Sequence, residues 1–277
     1  MTQFIQALSI NWEKISEDSY LRGIPAIASL DYLPLNSNVV FFVGENATGK
    51  STLLEGLATA YGFNPEGGTL NYRFTTWYEE TELGDAMRLS RHFQRPRQGY
   101  FFRAESFFNL ASKAAEYDAE RGRPSYGDRN LHEQSHGESF LNFFQTFCGP
   151  GLYIMDEPEA ALSPQRQLTL LLHMSRMAAG DAQFIVASHS PILLGFPNAQ
   201  ILSFDGGRIH EISWEETDSY KIIKLFLDNR EGVLRRLLDR LYERRRCKAG
   251  LRRGDAAFSG CGQGRKQEGG VVCGPYV

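Results

Sequence analysis

No apolar run in this chain approaches the roughly 18 residues that a membrane-crossing helix needs. The opening Met1-Thr2-Gln3-Phe4-Ile5-Gln6 has neither the charged start nor the long apolar core of a secretory signal. Cysteine is scarce: Cys148, Cys247, Cys261 and Cys273 are the only four, and no two form a C-x-x-C pair. That spacing indicates neither a zinc site nor a disulfide framework, and a reducing, cytoplasmic setting fits it best. No heptad run and no internal repeat is visible, which sets aside coiled coils and solenoids. A net charge of −3 over 277 residues carries no whole-chain nucleic-acid signature, leaving only local basic patches to consider.

What is present reads as an ordinary water-soluble composition, 42% hydrophobic and 23% charged, in a length that suits one large α/β domain or two small ones. One stretch organises the rest. Gly44-Glu45-Asn46-Ala47-Thr48-Gly49-Lys50-Ser51, followed by Thr52, matches G-x-x-x-x-G-K-[ST]. Before it, Val39-Val40-Phe41-Phe42-Val43 reads as a buried strand; after it, Leu53, Leu54, Leu57, Ala58 and Tyr61 recur at helical spacing. Strand, glycine-bearing loop and helix give the pattern the context that phosphate binding requires. Backbone N–H groups of the loop and the first helical turn converge on an anion, and the helix dipole adds positive potential there. Lys50 is placed to reach the β- and γ-phosphates of a nucleoside triphosphate, and the Ser51 hydroxyl to ligate Mg²⁺. No N-K-x-D run occurs, which disfavours a guanine-reading pocket.

Along the chain, Ile5–Ile10 alternates like a strand, and Tyr20 is spaced to stack on a purine, although an ordinary half-buried role suits it better. From Gly62 to about Gln98 the character changes. The acidic Glu79-Glu80-Thr81-Glu82 and the basic Arg88–Arg97 stretch suggest a surface subdomain with solvated charges. A strand over Tyr100–Glu105 follows. Gln134–Ser139 is a small-residue turn before Phe140, Leu141, Phe143, Phe144 and Phe147, so it sits at a helix N-terminus where an anion is welcome. Gly151–Glu157 is an apolar strand that ends in two adjacent carboxylates. Ser163-Pro164 opens a helix along Leu168, Leu171, Leu172, Met174 and Met177, closed at Gly180. A strand over Phe184–Ser188 then leads to His189. Ile201–Phe204 and Arg208–Ile212 look like a hairpin, Val233–Leu241 like an amphipathic helix, and 247–277 like a disordered Gly/Arg-rich tail.

Two adjacent acids ending a buried strand are costly unless a cation is present. Asp156 is therefore placed to hold Mg²⁺ opposite Ser51, and Glu157 to polarise an attacking water as general base. His189 ends another strand, where it can contact the γ-phosphate or that water. Parallel α/β sheets gather ligands at the carboxyl ends of their strands, so these elements converge.

Loop 44–52, turn 134–139, strand 151–157, Ala161-Leu162-Ser163 and His189 come in the order of ATP-binding-cassette (ABC-type) ATPases. The longer runs L-H-E-Q-S-H-G-E-S-F, D-E-P-E-A-A-L-S-P and A-S-H-S-P resemble those of small soluble bacterial proteins described as AAA family ATPases, near the SMC and RecF-like branch. The resemblance covers about residues 1–240. It implies an α/β P-loop NTPase with an ABC-type head: a mixed central sheet flanked by helices, 1–246 as the ATPase domain and 62–134 as an inserted helical subdomain. It also implies the Walker A, Walker B and H-switch roles for loop 44–52, strand 151–157 and His189. Ser135, Gly137 and Glu138 would form a signature motif meeting ATP held by a second copy, in a head-to-tail homodimer. No Q-loop glutamine is obvious: Gln94 and Gln98 precede the strand, and Glu105, which ends it, is favoured by position for that role and a metal contact. Ala47 stands where the family commonly has glycine, a change that a negative φ tolerates. His136 and Glu138 replace the glycine and glutamine of transporter signatures. ATP and Mg²⁺ are the implied ligands, nucleic acid or an effector protein the implied partners, DNA maintenance or phage defence the implied setting. The alternatives are a transporter's nucleotide-binding subunit and a non-catalytic ATP-gated switch.

Overall fold

A computed structural model describes residues 3–70, 81–103, 141, 144–145 and 149–238. Strand β3 (Val39–Val43) shows why its sequence is apolar without a break: all five residues are buried. It lies inside a seven-stranded sheet of order β10-β9-β3-β8-β7-β6-β4. Here β4 is Gly68–Thr69, β6 Gln98–Arg103, β7 Gly151–Asp156, β8 Gln183–Ala187, β9 Gln200–Ser203 and β10 His210–Ile212. From β9 to β6 the pairing is parallel; both edges, β10 on β9 and β4 on β6, are antiparallel. A parallel sheet covered on both faces needs apolar residues at consecutive positions, which β3, β7 and β8 supply.

Alternation along β3 divides the core in two. Val40 and Phe42 pack with Leu53, Leu54, Leu57 and Ala58 of helix α2 (Lys50–Tyr61). Val39, Phe41 and Val43 point the other way, into a cluster with Leu170, Met174 and Met177 of helix α4 (Pro164–Ala179). Helix α2 stops at Gly62, whose φ of 113° lets its N–H close on the carbonyls of Ala58 and Thr59. Helix α4 starts as its sequence announces, with Ser163 accepting from the Arg166 N–H and Pro164 in the first turn. Its buried side differs from the expected one, however. Gln167, Leu170, Met174, Met177 and Ala178 face inward, while Leu168 and Leu172 are exposed.

A second sheet, β2-β1-β5, is antiparallel and joins Ile5–Ile10 (β1) to Tyr32–Pro34 (β2) and Met87–Arg91 (β5). Some of the segment read as an inserted surface subdomain thus returns to the N-terminal strand. Helix α3 (Glu82–Ala86) precedes β5 and buries Leu83 and Ala86; Arg88, Arg91, Arg95 and Arg97 are exposed, as solvated charges should be. Short helices α1 (Pro25–Ala28) and α5 (Pro191–Leu194) follow connecting loops. Tyr20 is 69% exposed rather than half-buried.

The chain divides into two compact units, 1–223 and 224–277. Helix α6 (Asp218–Asp228), unforeseen in the sequence, spans that point and contains no buried residue. In the second unit, 230–238 is helical, as the leucine spacing predicts. The expected tail 247–277 lies outside the described residues.

Candidate active site

Three neighbouring parallel strands bring the candidate residues together. Ala187 of β8 pairs with Phe42 of β3 on one side and with Asp156 of β7 on the other. The carboxyl ends of β3, β8 and β7 are therefore level, and the segments that leave them rise from one edge of the sheet.

After β3, Gly44 turns with φ 141° and Gly49 with φ 100° before α2 begins. A Cβ on Gly49 would lie 2.7 Å from the Ile24 Cγ2, so both its conformation and its packing call for glycine. Ala47 corrects the expectation of a negative φ: it is left-handed, at 65°. The Thr48 hydroxyl donates to the Glu45 carbonyl at 2.9 Å. Glu45, Asn46 and Ala47 are exposed at the crest, while Gly49 and Lys50 are buried, with Ser51 and Thr52 in the first helical turn. Lys50 is only 5% exposed, and its Nζ donates to the carbonyls of Gly44 and Glu45, each at 2.7 Å. Burial lowers the Lys50 pKa, against the upward pull of Glu157, Asp205, Asp156 and Glu159 around it.

Beside the loop, the Ser51 hydroxyl donates to Asp156 Oδ1 at 3.0 Å across a sequence gap of 105 residues. Glu157 follows with φ 48° and ψ 55°, a left-handed conformation that turns its side chain away from the line of the strand; its N–H donates to the Ala187 carbonyl. His189 Nε2 lies 3.8 Å from Glu157 Oε1. Burial first, and then the Lys50 charge, hold the imidazole below its usual pKa, so it is neutral near pH 7.

Two residues of this site escaped the sequence reading. Asp205, in the turn after β9, accepts the Glu45 N–H through Oδ1 at 2.9 Å and the Ser203 hydroxyl through Oδ2 at 3.2 Å. A D-G-G turn carries no sign of a partner 160 residues away. Glu159, two residues past Glu157, accepts the His189 N–H. Gly44, Glu45, His189 and Asp205 face one cavity of about 530 Å³. Ser135, Gly137, Glu138 and Glu105 lie outside the described residues; Leu141 and Phe144, from the helix expected after the turn, are helical and buried.

A family model described as "AAA domain, putative AbiEii toxin, Type IV TA system" matches residues 126–195, which include the Asp156-Glu157 strand end and His189. No curated protein matches the chain. Among solved structures, it is similar to a chain of "An inward-facing conformation of a putative metal-chelate type ABC transporter", at 16% identity and TM-score 0.35, covering 67% of this chain and 76% of that one. It is also similar to cbiO1 from Clostridium perfringens, part of the ABC transporter complex cbiONQ, at 15% identity and TM-score 0.39, covering 76% and 91%. The loop between β3 and α2, set in a mixed sheet flanked by helices, is that of a P-loop α/β fold, and the match over 126–195 takes in its strand-end carboxylates and His189.

Proposed function

We propose that this chain binds ATP with Mg²⁺ at loop 44–52 and hydrolyses it to ADP and phosphate, in a head-to-tail homodimer that closes on ATP. The observation that carries the reading is the Ser51–Asp156 contact, which sets a loop hydroxyl against a strand-end carboxylate with Glu157 and His189 beside it. The two oxygens fit Mg²⁺, a hard cation usually held by one or two protein oxygens with substrate phosphates and water completing the shell. A larger protein cage is unnecessary, and none occurs among the described residues. When bound, the ion would offset charge on the β- and γ-phosphates.

The chain's own residues do the rest. Lys50 leaves the carbonyls of Gly44 and Glu45 for the phosphate oxygens, and the loop amides complete the cradle. Glu157 takes the proton of a water that attacks the γ-phosphorus, as the bond to the bridging oxygen breaks and ADP departs. Neutral His189 orients that water or the γ-phosphate. Ser135, Gly137 and Glu138 of a second copy close over the site, and Glu105 contributes to the metal's surroundings. The output is ATP-driven work on nucleic acid or through an effector protein, in DNA maintenance or phage defence.

Phosphate release by the purified chain, with and without single- and double-stranded DNA, tests this. Glu157→Gln is expected to lower turnover by about 100-fold or more while leaving ATP binding and ATP-dependent dimerisation, read by light scattering, in place. Unchanged turnover in that variant overturns the general-base role. Dimerisation without any phosphate release from the wild type identifies an ATP-gated switch instead.

A further inference from the structure

We propose that Glu159 is a positioning residue, a tether that sets the backbone of His189 and so aims its imidazole at Glu157; this rests on the hydrolytic reading above. Strand β8 ends at Ala187, and the next three residues are held one by one. The Ser188 N–H donates to the Phe42 carbonyl of β3 at 3.2 Å. Ser190 caps α5 and donates its hydroxyl to Gln167 Oε1. Between them, the His189 N–H has left the sheet and is taken by Glu159 Oε1.

Glu159 belongs to the turn Pro158–Ala161, directly after the Glu157 N–H has latched onto the Ala187 carbonyl. The turn after β7 thus grips the end of β8 twice. A backbone bond places Glu157, and a side-chain bond places His189. Only the second can be removed without disturbing the first.

The chemistry is expensive for a merely structural contact. Burial raises the Glu159 pKa, opposed by the His189 N–H and the Ser188 hydroxyl. Among the described residues its Oε2 is buried without a hydrogen-bond partner, as is His189 Nε2. An unpartnered carboxylate oxygen in the interior costs stability, and an apolar residue in this turn would avoid the cost. What an apolar residue cannot do is accept the amide of His189.

The test compares Glu159→Ala with Glu159→Gln, which keeps an acceptor oxygen at the same reach. Steady-state phosphate release is read with melting temperature and the imidazole resonances of His189, assigned by comparison with His189→Gln. Glu159→Ala is expected to lower kcat about tenfold or more, with KM within about threefold, and to shift the imidazole resonances; the amide variant is expected to restore both. If the alanine variant does not fold, Glu159→Asp, which withdraws the acceptor by one methylene, is expected to give the same kcat loss and resonance shift. A kcat within about twofold of wild type in Glu159→Ala or Glu159→Asp, or a glutamine variant as impaired as either, overturns the tether. If the wild type releases no phosphate, the hydrolytic reading falls, and unmoved imidazole resonances in the alanine or aspartate variant then overturn the tether on their own.

Discussion

Ala47 occupies the left-handed region at φ 65°, where an L side chain brings its Cβ against the backbone at a cost of about 1–2 kcal/mol. At the exposed crest of the loop its methyl group has no polar atom with which to compensate. Ala47→Gly relieves the strain but gives the unfolded chain more freedom, which returns about 0.4–1 kcal/mol. The net expectation is a gain of about 0.5–1 kcal/mol in unfolding free energy, measured by denaturant titration of the nucleotide-free protein. A loss of stability would place the loop in a different conformation. The strain accompanies a loop closed on itself: Lys50 is folded onto the carbonyls of Gly44 and Glu45, and Asp205 holds the Glu45 N–H. In this conformation Lys50 is bonded within the loop, so the proposed nucleotide binding must exchange its two carbonyl contacts for contacts to phosphate.

At the scale of elements, glycine decides how closely α3 approaches α2. A Cβ on Gly84 would fall against the Thr59 hydroxyl of α2 and 2.7 Å from Thr81 Oγ1, and those two hydroxyls are hydrogen-bonded at 2.9 Å. Gly84→Ala gains about 1 kcal/mol of helix propensity, yet it must push the packed helices apart, at about 1–3 kcal/mol. Lower stability is expected, by up to about 2 kcal/mol, with a matching fall in melting temperature; a rise would show that α3 is loosely seated. None of this is audible in the sequence, where Glu82–Ala86 reads as a continuation of an acidic surface stretch. Elements declared themselves where burial is two-sided or where ends are chemically marked. β3, β7 and β8 are unbroken apolar runs, and α4 carries its Ser-Pro cap. Strand β5 was hidden because it is one-sided: Met87 is buried and Leu89 half-buried, while Arg88, Ser90 and Arg91 are exposed, so it reads as a basic surface. The candidate site divides in the same way. Loop 44–52, Asp156, Glu157 and His189 follow from local patterns, whereas Asp205 and Glu159 act through contacts that only the assembled sheet creates.

On the scale of the whole first unit, the remaining question is what fixes the antiparallel sheet to the parallel one. Apolar packing supplies area, but area is tolerant of sliding. Directional bonding between β1 and β8 comes from Gln183, the first residue of β8, which is completely buried. Its Oε1 accepts the Ile5 N–H at 2.9 Å, and its Nε2 donates to the Ile5 carbonyl at 2.7 Å. The amide thereby imitates a strand partner for β1 at the point where the pairing with β5 slips register, between Ile5 and Ala7. Because the opposite end of β8 carries Ser188 and His189, the same strand anchors one sheet to the other and presents a portion of the site. Gln183→Leu preserves volume while leaving two buried main-chain groups without partners, each worth about 1–3 kcal/mol. The expected loss is therefore about 2–6 kcal/mol by denaturant titration, and early hydrogen exchange should concentrate in β1 and β5 while β3, β7 and β8 stay protected. Exchange that accelerates equally in all five strands would mean that the two sheets unfold as one cooperative block, with Gln183 only one contact among many.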